Sequence, residues 1–367
     1  MKSFSIILII IIICFSCDSK NELANKTTFQ NPTIDTVKIT LDSIAKQSFS
    51  VFTINQKSNE FIGFNNTINA LEFFNLKEQK FIKRLNLDGD GPNAIRNITG
   101  LYYHNKDSIF TYSRGEISII NEISGEISKI NIFKKMESSN IEFEPIVNNH
   151  FRLYYDSISK TIPFVNIYFG KDKGYEDTAP LLSFLDLKDS NIQTIPYFHT
   201  ESFNSTSEFG FLNYPTNSKI RNGYFFVNQV YSPNTYKINL LNQTSKPVIK
   251  SEEEKHLINR NIEDWTPHAV ESVFYNQLEK IERLGFFRFE WGKHNYSVKE
   301  NGFLHKRFSI KFYNENFDIV NELELPKNTY GAYSWFVHNN QIFIQPTHPD
   351  NSAQQENEFI LHKIAFK

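Results

Sequence analysis

The stretch Ala70–Asp88, ALEFFNLKEQKFIKRLNLD, decides how the rest of the chain is read. Apolar residues alternate on either side of a tight polar turn, which spells two antiparallel strands and their connection. The same pattern returns in other words at Glu116–Ile132 (EISIINEISGEISKINI), Leu181–Tyr197 (LLSFLDLKDSNIQTIPY), Thr235–Ile249 (TYKINLLNQTSKPVI) and Phe308–Leu325 (FSIKFYNENFDIVNELEL). A half-copy, Glu358–Phe366 (EFILHKIAF), closes the chain. One hairpin repeated along a chain marks an array of small sheets. The expected fold is all-β, a six-bladed β-propeller of four-stranded antiparallel blades.

Composition agrees with strands. Hydrophobic residues make up 40% of the 367, and 35 Phe with 17 Tyr can fill sheet-on-sheet interfaces. Such β-branched and aromatic enrichment favours strand over helix. Gly and Pro are sparse, so Asn and Asp must supply much of the turn chemistry. A net charge of −2 provides no electrostatic footprint for nucleic acid, which is excluded as a partner.

The first residues are a targeting segment. Lys2 precedes Phe4–Ile13, a run of Ile, Leu and Phe too short for a spanning helix of about 20 residues. The run ends at Cys14-Phe15-Ser16-Cys17 and the chain turns polar at once. Ser before Cys at this place resembles a bacterial lipoprotein signal, although Cys14 stands where Leu is usual. The resemblance implies a signal peptide over 1–16 and a lipid on Cys17, through which the protein meets the membrane. With Cys17 acylated the mature chain keeps no cysteine for a disulfide, a thiol nucleophile or a thiolate metal site. Asp18–Pro32 is polar and aperiodic, so 17–32 reads as a flexible tether before the propeller at 33–367. The expected location is the cell envelope, as an outer-membrane lipoprotein facing the periplasm or the cell surface.

Each blade should show two hairpins, running from the axis outward. Blade two is the clearest: Leu101–His104, Ser108–Ser113, then the Glu116 hairpin, with turns at Asn105-Lys106-Asp107 and Arg114-Gly115. In blade three the first strand is expected at Phe151–Asp156 and the second at Thr161–Phe169. Blade four starts within Phe211–Ile220. Blade five carries a conflict. Val270, Phe274, Leu278 and Ile281 fall on one helical face between Thr266-Pro267 and Gly285, so Pro267–Leu284 reads locally as a helix. By repeat register, Ala269–Tyr275 is instead the first strand and Gln277–Gly285 an enlarged turn before Phe286–Trp291. The register reading is favoured because the helix leaves the blade one strand short. Blade six lacks a strand at the C-terminus, and Thr36–Leu41 (TVKITL) supplies it. Pairing this N-terminal strand with Glu358–Phe366 closes the ring and removes exposed edges.

The lipobox, the early edge strand, the aromatic-rich blades and Gly89-Asp90-Gly91-Pro92 together resemble the TolB-like six-bladed propeller lipoproteins, nearest to a family whose domain has no assigned function. The resemblance spans most of Ile34–Lys367, implies fold and location, and transfers no catalytic residue.

Candidate chemistry lies in loops. In a propeller, interblade connections and second-to-third-strand turns share the end where ligands usually bind. That end is expected to hold Arg96 and Arg114, Trp265 and Trp291, and His268 and His294, with His305 and His348 nearby. Aromatic and His side chains around a mouth suit a glycan or peptide. Two guanidinium forks suit a carboxylate. Asn86, Asp88 and Asp90 place oxygens at the first, third and fifth positions of a calcium-like loop, but the twelfth position is Asn97 in place of a bidentate Glu. Metal is therefore not expected, nor any cofactor. No histidine has the spacing of a zinc motif, and nucleophile-elbow and phosphate-loop signatures are absent. The favoured reading is a ligand-binding or scaffolding module without catalysis. The alternatives are a polysaccharide hydrolase or lyase, drawing on Glu263, Asp264, Glu271 and Glu290 with a His, and a structural partner in an envelope assembly.

Overall fold

The computed structural model describes residues 32–138, 143–167, 179–198, 215–250, 270–282, 284–292, 294, 305–351 and 357–366. Strands dominate them. Apart from two helical residues at Val270–Glu271, the helix among the described residues is α1 (Ile132–Ser138), a single short element after a strand end. In chain order the strands begin with β1 (Thr33–Thr40). The next four are β2 (Phe52–Asn55), β3 (Glu60–Asn65), β4 (Ala70–Asn75) and β5 (Lys80–Asn86). Then come β6 (Gly100–Asn105), β7 (Ser108–Ser113), β8 (Glu116–Ile120) and β9 (Ile127–Asn131). A third group is β10 (Glu144–Ile146), β11 (Thr161–Ile167), β12 (Leu182–Asp186) and β13 (Ile192–Ile195). A fourth is β14 (Pro215–Asn217), β15 (Tyr224–Gln229), β16 (Thr235–Asn239) and β17 (Thr244–Ile249). The fifth is β18 (Phe274–Tyr275), β19 (Glu279–Ile281), β20 (Gly285–Trp291), β21 (Phe308–Tyr313) and β22 (Ile319–Glu324). The last is β23 (Trp335–His338), β24 (Gln341–Ile344) and β25 (Glu358–Ala365).

Within each group consecutive strands pair antiparallel, except that β18 and β19 both pair with β20, so the protein is all-β, built of repeated four-stranded antiparallel sheets. β1 lies antiparallel to β25 from Thr33↔Ala365 to Thr40↔Glu358. It also meets β5 through the single parallel pair Thr40↔Lys80, which merges the first and last groups into one sheet. Lys38 pairs with Glu358 at 2.9 Å and Asp35 with Lys363 at 3.2 Å across the β1–β25 seam.

Asparagine ends the strands, as the shortage of Gly and Pro requires. Asn55, Asn65, Asn75, Asn105 and Asn239 close β2, β3, β4, β6 and β16, and each side-chain oxygen accepts a backbone N–H two residues on. That hydrogen bond offers the backbone a turn in place of another ladder rung. Arg114 and Gly115 both adopt positive φ between β7 and β8, the two-residue connection read from the sequence.

The core is a series of sheet-on-sheet clusters. Ile62, Leu71 and Phe73 of the first group pack on Leu101 and Ile109 of the second. Tyr112 and Ile117 meet Ile162 and Phe164 of the third, and Phe184 and Val165 meet Phe225 and Ile238 of the fourth. Phe226 then meets Phe286, and Phe289 meets Trp335 at 4.8 Å between ring centres. Val37 and Ile39 of β1 share a cluster with Phe61 and Phe74 of the first group and Phe343 and Phe359 of the last. Among the described residues, the apolar faces of successive groups thus cover one another.

The favoured register reading of blade five holds in part, and two expectations are corrected. Within Pro267–Leu284 only Val270–Glu271 are helical among the described residues, while β18 and β19 are extended and both pair with β20, so the strand reading stands over the helix. Asn276–Leu278 oppose only Arg288–Phe289, so one extra residue forms a bulge and shifts the two-residue alternation. The shift brings Val270, Phe274, Leu278 and Ile281 all inside, at most 1% exposed, and mimics helical spacing. The enlarged turn at Gln277–Gly285 is also replaced, because β19 continues the strand and the turn is short. Gly285 closes it at φ +95, where a Cβ would lie 2.3 Å from the Tyr313 carbonyl oxygen. In the third group the first strand is β10 instead of Phe151–Asp156, and the ladder resumes only at the bridge Asp156↔Thr161. Asn148 diverts the chain between them by accepting the N–H groups of His150 and Phe151, both at 2.9 Å.

Candidate functional site

A cavity of about 370 Å³ lies among the first strands of all the groups. Phe52–Ile54 on β2, Leu101 and Tyr102 on β6, Glu279 on β19 and Trp335–Val337 on β23 form part of its wall. The remainder comes from first-strand segments that have left their ladders: Arg152–Tyr154 in the third group, and Lys219 and Arg221 in the fourth. Ser218–Ile220 oppose Phe225–Phe226, the same one-residue excess seen in β18–β19. Bulges re-aim side chains, and these irregular first strands carry the charged residues of the wall. Gln56, Arg221, Glu282, Asn339 and Asn340, at first-to-second-strand turns, form the rim. A second space of about 20 Å³ lies toward the interblade connections, at Ser50–Phe52, Thr99–Leu101 and Asn148–Asn149. Phe52, Leu101, Arg152 and Leu153 border both spaces.

Hydrogen bonds between neighbouring first strands hold the wall. Asn217 brackets the Arg152 backbone, accepting its N–H at 2.6 Å and donating to its carbonyl at 2.9 Å. The Lys219 N–H donates to Glu279 Oε1 at 2.8 Å. Arg221 reaches Glu282 at 2.8 Å and the Lys280 carbonyl at 3.1 Å. Gln56 donates to the Val337 carbonyl at 2.9 Å and faces His338 Nδ1 at 2.9 Å, joining the last group to the first. The Arg152 guanidinium is clamped over Trp335 and Phe52, 5.0 and 5.1 Å from their ring centres, and donates to the Tyr333 carbonyl.

The electrostatics follow from enclosure. Burial raises the Glu279 carboxyl above the ordinary range, against the pull of Arg221, Arg152 and Lys219. Burial lowers the Lys219 ammonium, Arg221 adds repulsion, and Glu279 opposes both. Burial likewise pushes the Tyr102 phenol up to about 12 and holds His338 down at about 4. Perturbed groups gathered around a concavity are a signature of functional sites. The arrangement can hold a small ligand that presents negative charge to the cations and apolar faces to the rings.

The residues nominated from the sequence lie elsewhere. Arg96 is exposed and ion-paired with Asp90, one of the three calcium-loop candidates with Asn86 and Asp88. Among the described residues no group of three His, Cys, Asp or Glu is placed to hold a metal. Arg114 sits in the β7–β8 turn. Trp291 packs on Phe308 and Tyr333, each 5.9 Å away between ring centres. His294 does gather with His305 and His348, at 6.4 Å for each successive pair of rings. Trp265 and His268 fall outside the described residues, as do Glu263, Asp264, Cys17 and the tether. Glu290 is buried and paired with Lys311 at 2.7 Å. None of the described ones among these lines the cavity. Arg152, Lys219, Arg221 and Glu279 were missed. Their available signal was a charge inside a segment whose repeat position calls for a first strand, as in Phe151–Asp156 (FRLYYD) and Ser218–Gly223 (SKIRNG).

The fold and wall define an all-β protein of repeated four-stranded sheets whose first strands enclose a charged cavity. The chain belongs to the family described as Domain of unknown function (DUF4221), whose model matches residues 27–324. It is similar to the crystal structure of a member of that family from Bacteroides vulgatus ATCC 8482, with TM-score 0.72 and 16% identity over 92% of this chain and 98% of that one. It is also similar to a protein of Bacteroides fragilis NCTC 9343 assigned, by inference, as exported, with TM-score 0.57 and 12% identity over 91% and 95% of the two chains. No curated protein matches the chain.

Proposed function

We propose that this chain is a lipid-anchored binding module outside the cytoplasm, a six-bladed propeller that holds a small ligand in its axial cavity. β1 is its outermost strand in the last blade and the joint that closes the ring. Residues 1–16 act as signal peptide, Cys17 carries the lipid, and 17–32 tether the propeller to the outer membrane, as in TolB-like lipoproteins. The apolar run at Phe4–Ile13 ending in Cys17, and the likeness to a protein assigned as exported, support the location.

The observation that carries the reading is the cavity itself, where first strands of every group bring Arg152, Lys219, Arg221 and Glu279 together. Binding there is passive: the wall is held by backbone hydrogen bonds before any ligand arrives, which lowers the ordering cost of association. A screen of small solutes by thermal shift tests this. Ligands that stabilise the wild-type chain should lose their effect in Leu101→Trp, which fills the cavity, and keep it in Arg96→Ala, on an exposed loop. Retained binding in Leu101→Trp would refute the axial site. Product formed from a bound glycan would favour a hydrolase or lyase. Co-purification with an envelope protein, with no solute bound, would favour a structural partner. Palmitate labelling lost in Cys17→Ala tests the anchor.

A further inference from the structure

The lining charges do not balance. Arg221 is matched by Glu282, but the Lys219 ammonium has neither a hydrogen bond nor an ion pair among the described residues, although its own backbone N–H is bonded to Glu279. Arg152 spends its faces on Phe52 and Trp335 and one terminal nitrogen on the Tyr333 carbonyl, and the Tyr154 hydroxyl is a further partner. A half-buried ammonium with no direct hydrogen bond or ion pair keeps its donors available, and a bound anion would offset its partial desolvation.

We propose that the ligand of this cavity is a small sugar acid, its carboxylate held between Lys219 and Arg152 and a hydroxyl of its sugar meeting Glu279. The proposal rests on the cavity being the binding site. Several features choose this class. At about 370 Å³ the space is near the lower end of the roughly 300–1,000 Å³ usual for ligand pockets, suited to one small molecule and not to a polymer. The Lys219 ammonium and the Arg152 donors not given to Tyr333 and Tyr154 match the two oxygens of a monoanion. A phosphate dianion asks for more donors than these two side chains offer, and among the described residues no helix N-terminus belongs to the wall to receive it. The rings of Tyr102, Trp335 and Phe336 offer apolar faces for the C–H side of a sugar. Burial raises the Glu279 carboxyl, so its protonated form can donate to a hydroxyl or carboxylate oxygen.

Calorimetric titration of the detergent-solubilised full chain with D-glucuronate, D-glucose and inorganic phosphate tests the class. Glucuronate should bind at least about tenfold more tightly than glucose, a difference of about 1.4 kcal/mol. Lys219→Met should remove that preference, phosphate should not compete, and added salt should weaken glucuronate alone. Lys219→Gln, checked for native near-ultraviolet dichroism, guards against a folding defect, and the salt series needs no variant. Equal affinity for glucose, an unchanged Lys219→Met, competition by phosphate, or no glucuronate binding would each overturn the sugar-acid class. In those cases, solutes lost in Leu101→Trp would leave the axial site standing. Glucuronate binding unchanged by Leu101→Trp would overturn the site as well.

Discussion

Glu279 accepts the Lys219 N–H with one oxygen, and enclosure raises its pKa despite three nearby cations. Between its unfolded value of 4.5 and that raised value, the folded chain binds a proton that the unfolded chain has released. Stability contributed by this group is therefore present at low pH and lost as pH rises through the window. Glu279→Gln keeps an acceptor for the Lys219 N–H and removes the titration. Its urea midpoint at neutral pH should exceed that of the wild type, with the gap closing toward pH 4.5; an unchanged midpoint would mean the carboxylate is fully compensated. Glu72 is a second buried carboxylate, with more partners. It is 0% exposed and accepts from Arg84 at 2.7 and 2.9 Å, from the Lys46 N–H at 3.0 Å and from Asn65 at 3.2 Å. Glu72→Ala leaves the half-buried Arg84 only its exposed partner Asp42, at 3.0 Å, and should cost about 1–3 kcal/mol in denaturant unfolding. Neither role is visible in the sequence. Lys219 and Glu279 are separated by 60 positions, and each alone is an ordinary charged residue.

At the scale of elements, alternation and turn chemistry were legible because both are local. Asn at strand ends and Arg114-Gly115 between β7 and β8 announce their turns within a few residues. Bulges were not legible, since an extra residue is defined only against the partner strand. The Val270–Ile281 segment shows the consequence: one bulge converts a strand alternation into the spacing of a helix, and only pairing with β20 decides between them. Gly285 is the hinge of that decision. Gly285→Ala forces a left-handed φ on alanine and drives its Cβ into the Tyr313 carbonyl, so a loss of about 1–3 kcal/mol is expected. Amide exchange should show it as faster opening of β19 and β20; normal protection there would argue that the turn can be rebuilt.

At the scale of the whole molecule, β1 and β25 pair over eight residues, and Ile39 is enclosed with Phe61, Phe74, Phe343 and Phe359 from the first and last groups. Gln345 adds a tie, accepting the Phe49 N–H at 2.8 Å and donating to its carbonyl at 3.0 Å. Ile39→Ala should cost about 2–4 kcal/mol by opening a void in that cluster. If the joint secures both ends, exchange protection should fall together in β1, β25 and β2–β5. A fall confined to β1 would make it an appendage.

The sequence by itself determined the all-β class, the repeating hairpin, most turn positions and the partner available to the last group, since all rest on periodicity and on which residues tolerate a turn. Tertiary structure alone decided the bulges and the cavity wall, and it settled the Val270–Ile281 segment that repeat register favours as strand. Those depend on which side chains meet across separate sheets, and Coulomb and desolvation energies are functions of distance in space, not of separation along the chain.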